Sequence, residues 1–145
     1  MSRFKMVQIT NNNIGTVAVN ALMPLGTITR RVDCSNNMSA FTISSSNTDT
    51  ITINEAGYYE VEYSVSEVAT AAGITTITLV VNGVDVYTVG STATAGGTIN
   101  LTLPYTVRVF NRCDNIATNN PMTIQFRTNA DITSATSNVV VKRIY

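Results

Sequence analysis

Histidine and tryptophan are missing from this chain altogether. Without histidine, the usual general base and the commonest metal-binding side chain are unavailable. Without tryptophan, any sugar-stacking surface would have to be made from the six tyrosines and four phenylalanines. Charge is scarce as well: 12% of residues are charged and the formal net charge is zero, against a usual charged fraction of about 25%. A nucleic-acid binder needs basic residues gathered on one face to neutralise phosphates. Seven arginines and two lysines scattered among nine acids do not offer that. No apolar run approaches the ~20 residues of a membrane-spanning helix. Nor does an apolar stretch follow Met1-Ser2-Arg3-Phe4-Lys5 as it would in a secretory signal. These readings leave no nucleic-acid partner, no membrane insertion and no cofactor, in a chain that is made and used in the cytoplasm, released from it by lysis, or exported by a leader outside this sequence.

What is present is β-branched. Threonine, valine and isoleucine dominate, and such side chains pack well on a pleated surface but lose rotamer freedom in a helix. Apolar and alternating runs recur between clusters of Gly, Asn, Ser and Asp. They predict strands over Lys5–Ile9, Gly15–Leu22, Thr27–Val32, Ala40–Ser44, Thr50–Asn54 and Tyr58–Ser66. Further strands are expected over Ile74–Val81, Val84–Val89, Thr98–Phe110, Met122–Arg127 and Asn138–Tyr145. Asn82-Gly83, between two apolar runs, is the strongest hairpin signal, because a type I′ turn needs positive φ at both central residues. Pro104 lacks an N–H and therefore implies an edge, a bulge or a break in its strand. Glu67–Ala72 is read as at most one helical turn, stopped by Gly73, and Ser91–Gly97 as a flexible loop. The chain length fits one domain over residues 1–145. About ten short strands in that length mean an all-β, two-sheet antiparallel sandwich, of jelly-roll or immunoglobulin-like form.

Candidate chemistry is thin. Glu60 and Glu62 share one strand face about 7 Å apart by strand rise, a spacing open to a carboxylate pair. A structural role fits them better, and no nucleophile–base pair converges elsewhere, so the chain reads as non-enzymatic. The five aspartates are isolated, and none starts a calcium loop. Cys34 and Cys113 cannot build a zinc site by themselves. They read as independent thiols, with a disulfide between two loops the less favoured alternative. Catalytic and metal-binding residues are therefore expected to be none.

One segment resembles a known family. Thr50-Ile51-Thr52-Ile53-Asn54-Glu55-Ala56-Gly57-Tyr58-Tyr59-Glu60-Val61-Glu62-Tyr63-Ser64-Val65-Ser66 is similar to the core signature of tumour-necrosis-factor-like and complement-head-like jelly rolls. In that signature a strand and a glycine-ended turn lead into a central strand. Thr76–Val81 with Asn82-Gly83, and the closing strand Asn138–Tyr145, extend the likeness. The family's Gly-Asp turn and the aromatic-Gly pattern of its last strand are absent here, which resembles distant phage and bacterial members more than animal cytokines. The resemblance implies a homotrimer around a three-fold axis with an interface above ~2,000 Å². Tyr59, Val61, Tyr63 and Val65 would face the sandwich core. Tyr58, Glu60 and Glu62 would face the axis, with Lys142 or Arg143 of the neighbouring last strand pairing a glutamate.

Among short, Asn/Thr-rich members of this type, the resemblance implies a phage head fibre or capsid decoration protein, anchored to a capsid or other virion protein. Binding of host-surface glycan or receptor, or a spore or cell-surface structural role, is the alternative. Residues 1–12 would be either an attachment arm or the first edge strand.

Overall fold

The computed structural model describes residues 4–32, 34–35, 38–43, 48–110 and 121–145, with the backbone alone for 34–35 and 38–39. Its strands are β1 (Met6–Asn11), β2 (Thr27–Val32), β3 (Cys34–Ser35), β4 (Met38–Ser39), β5 (Phe41–Ile43) and β6 (Ile51–Ile53). They continue with β7 (Gly57–Ala69), β8 (Gly73–Val81), β9 (Val84–Ala93), β10 (Thr98–Val109), β11 (Met122–Thr128) and β12 (Ile132–Arg143). Two five-stranded sheets run in the orders β10-β7-β12-β1-β2 and β5-β6-β11-β8-β9, and every pairing is antiparallel. β3 and β4 form a separate two-stranded ribbon. This is the all-β jelly-roll sandwich, and no helix occurs among the described residues.

The core follows from alternation. Along β7, Tyr59, Val61, Tyr63, Val65 and Ala69 are buried, whereas Tyr58 and Glu62 are exposed. From the second sheet Phe41, Ile51, Ile53, Ile77, Leu79, Ile124 and Phe126 close against them with no measurable exposure. Tyr63 stacks on Phe126 at 4.1 Å between ring centroids, and Phe41 meets Tyr59 edge-on at 5.8 Å, so aromatic rings join the two sheets across the sandwich.

The turn chemistry sets the sheet edges. Asn82 and Gly83 take φ values of 49° and 78°, the left-handed pair that a tight β8–β9 hairpin demands. Pro104 lies on β10, an edge strand, where its missing N–H disrupts no outer ladder.

Four expectations are corrected. Residues 15–22 form no strand: isolated bridges join Val17 to Ile132 and Leu22 to Arg127. The segment crosses from β12 to β11, so its amides find partners one at a time, as in Val17 N–H to the Ile132 carbonyl and Asn20 N–H to that of Thr128. Ile14, Val17, Met23 and Leu25 plug the core there. The N-terminal strand β1 is neither a free arm nor an edge, because β12 and β2 flank it on both sides. Glu67–Ala69 continue β7 instead of turning into helix. Ser91–Ala93 likewise complete β9, leaving a turn at 94–97.

Candidate assembly interface

The outward face of the β10-β7-β12-β1-β2 sheet gathers the residues that the sequence singles out. Strand register lays them in rows. Thr106, Glu60, Lys142, Met6 and Val32 stand side by side across the five strands. Pro104, Glu62, Val140, Gln8 and Arg30 form the next row. Beyond them the surface turns to hydroxyls and amides: Ser64, Ser66, Asn100, Thr102, Thr136 and Asn138 line a shallow depression of about 350 Å³.

Lys142 and Glu60 are opposite partners, and the Lys142 ammonium stands 3.9 Å from the Glu60 carboxylate. With side chains 41% and 39% exposed, the pair contributes little to stability by itself; its effect is to cancel charge on the face. Arg143 goes elsewhere. One residue further along the strand it has the opposite parity, and it swings to the end of the sandwich, where Nη1 donates to Glu55 Oε1 at 2.8 Å. The Lys5 ammonium, 4% exposed, reaches the same carboxylate at 3.9 Å. The Tyr59 hydroxyl donates to the Glu55 carbonyl at 2.8 Å, and burial pushes its pKa up to about 12, with Glu55 adding and Arg143 opposing.

Gly57 makes this corner possible. Its φ is +152°, and a Cβ there would stand 2.6 Å from Arg143 Nε and 2.7 Å from the Tyr145 carbonyl oxygen. The backbone of Tyr58 also holds the C-terminus, donating from its amide to the Tyr145 carbonyl at 2.8 Å. Beside it lies a cleft of about 370 Å³ lined by Tyr58, Arg108, Phe110, Arg143 and Tyr145. The Arg108 guanidinium lies over the rings of Tyr58 and Phe110, 5.6 and 5.4 Å from their centroids, a cation–π arrangement.

One site residue escapes the sequence reading. Glu67 has no exposed surface, and neither carboxylate oxygen has a hydrogen-bond partner among the described residues. Burial raises its pKa from 4.5 to about 7. The Tyr63 hydroxyl and Ser137 Oγ are buried close by, and burial drives the Tyr63 phenol far above its ordinary value, with the Ser137 hydroxyl opposing and Glu67 adding. Glu67 lies opposite the point where β12 slips register between Thr133 and Thr136, with Ser134 at φ 52°. The signal was available: Glu67 continues the inward parity of Tyr59, Val61, Tyr63 and Val65, once the strand is allowed to run past Ser66.

Cys113 lies outside the described residues, as does the side chain of Cys34. Among the described residues no group of three or more Cys, Asp or Glu could hold a metal, and no helix is long and apolar enough to cross a membrane.

No family model matches the sequence, and no curated protein matches it. Solved structures do. The globular domain of a zebrafish complement 1qA protein superposes with a TM-score of 0.70 over 97% of this chain and 98% of that one, at 10% identity. The Eiger TNF of S. frugiperda gives 0.65 over 99% and 94%, at 9% identity. Vertex protein P5 of phage PRD1 gives 0.61 over 97% of each chain, at 14% identity. The chain therefore has the tumour-necrosis-factor-like and complement-head-like jelly-roll fold.

Proposed function

We propose that this protein is a non-enzymatic, homotrimeric structural protein of a phage virion surface, a head fibre or capsid decoration protein anchored to another virion protein. The observation that carries the reading is the likeness, over nearly all of both chains, to a phage vertex protein and to complement-head and TNF jelly rolls. The sheet face agrees with it. Glu60 is neutralised by Lys142, and most of the remaining face is hydroxyl and amide, groups that a second copy can cover where it supplies their hydrogen bonds. Tyr58, Glu60, Glu62 and Lys142 belong to that interface in this reading, while Arg143 braces it from the end. The cleft of Tyr58, Arg108, Phe110 and Tyr145 favours an accompanying role in adhesion, since aromatic rings beside a guanidinium suit a host-surface sugar.

Light scattering at micromolar concentration is expected to give three times the chain mass of 15.6 kDa, and antibody against the protein is expected to decorate the outside of intact particles. A monomer with no affinity for itself defeats the assembly reading. A trimer found free of every particle defeats the virion reading alone.

A further inference from the structure

Two charges on the assembly face are left over. Glu62 and Arg30 are both exposed. Among the described residues neither takes part in the ion pairs that join Lys5 and Arg143 to Glu55, Arg127 to Asp85 and Lys142 to Glu60. They lie in one row, Glu62 opposite Val140, Val140 opposite Gln8, and Gln8 opposite Arg30. Three strand spacings separate them, roughly 14 Å between their backbones, which is beyond the reach of the two side chains. Gln8, between them, is already committed to Asn138 at 2.8 Å. The residues directly opposite Glu62, Pro104 and Val140, carry no charge, and its diagonal neighbour Lys142 is paired with Glu60.

Position turns this into an argument about assembly. Glu62 is on β7, next to the β10 edge, and Arg30 is on β2, the opposite edge of the same sheet. In a closed three-fold ring, every contact is head-to-tail: one side of each copy meets the other side of the next. A sheet that offers its β10–β7 flank to one neighbour offers its β1–β2 flank to the other. The two uncompensated charges sit on these two flanks and have opposite signs. Resting on the trimer reading above, we infer that Glu62 of each copy pairs with Arg30 of the next, three times around the axis. This pairing would select the direction of the ring, because turning one copy over brings like charges together.

The test is charge exchange in the full chain. E62R and R30E are compared with the double variant E62R/R30E by sedimentation velocity over a dilution series in low salt, with circular dichroism confirming the strand spectrum of each. Each single exchange is expected to raise the concentration at which the trimer half-dissociates by at least about tenfold. The double exchange is expected to return it to within about threefold of the native protein. The milder E62Q and R30Q variants serve if a reversed charge prevents folding; each is expected to flatten the salt dependence that the native trimer shows. A native trimer indifferent to the single exchanges and to salt overturns the pairing and leaves the trimer standing. A double variant no stronger than the singles overturns the pairing likewise. A native monomer overturns both.

Discussion

Replacing Glu67 by glutamine should make the protein more stable at pH 8 and leave it nearly unchanged at pH 4.5. The carboxyl is fully buried with no partner for either oxygen among the described residues, so ionising it inside the sandwich is unfavourable and its pKa rises to about 7, against an ordinary 4.5. Below pH 4.5 the group is neutral in folded and unfolded chains alike, and it costs nothing extra. Between 4.5 and 7 the unfolded chain releases the proton while the folded chain keeps it, so stability falls as pH rises. Above about 7 the whole difference has been lost, on the order of 3 kcal/mol. Glutamine resembles the protonated acid at every pH and escapes that loss. For a chain of this size the gain at pH 8 corresponds to a melting temperature higher by up to about 10 °C. The assay is thermal denaturation of both proteins from pH 4.5 to 8, at one fixed protein concentration because assembly also stabilises. The difference between the curves isolates Glu67 from every other titrating group. A difference that does not vary with pH, or a glutamine variant that melts lower at pH 8, would refute the reasoning. Either result would mean that the folded protein supports the ionised carboxylate.

Two substitutions probe the structure that carries the assembly face. Gly57→Ala places a methyl against Arg143 Nε and the Tyr145 carbonyl at a backbone φ of +152°. It should cost about 1–3 kcal/mol in denaturant unfolding, and a loss under 0.5 kcal/mol would show that the corner yields. Phe126→Ala removes a fully buried ring stacked on Tyr63 at 4.1 Å. It should cost about 3–5 kcal/mol, measured the same way, and a smaller loss would mean that the sandwich collapses into the gap.

How much was legible in the chain varied from element to element. Alternation identified β7 and the two faces of its residues, because side chains on a strand change sides at every step whatever lies around them. Asn82-Gly83 marked its hairpin for an equally local reason, a positive φ at both turn residues, while the missing N–H of Pro104 implied an edge, a bulge or a break, of which the sheet order selected the edge. The absence of histidine and the low, balanced charge narrowed the chemistry before any fold was in view.

The tertiary structure decided whatever depends on a distant partner. Residues 15–22 have strand-like composition, yet their amides are taken singly, Val17 by Ile132 and Asn20 by Thr128, as the segment crosses between sheets. β1 became an inner strand because β12, from the far end of the sequence, flanks it on the side away from β2. The adjacent cations Lys142 and Arg143 are equivalent in a sequence. Register alone set Lys142 against Glu60 and sent Arg143 to Glu55. Glu67 keeps the inward parity of β7 but follows a segment that could end at Ser66, and the extension of β7 opposite the β12 bulge placed it in the core. Local geometry is written residue by residue, whereas strand pairing depends on which faces can be buried together. That is a property of the whole chain.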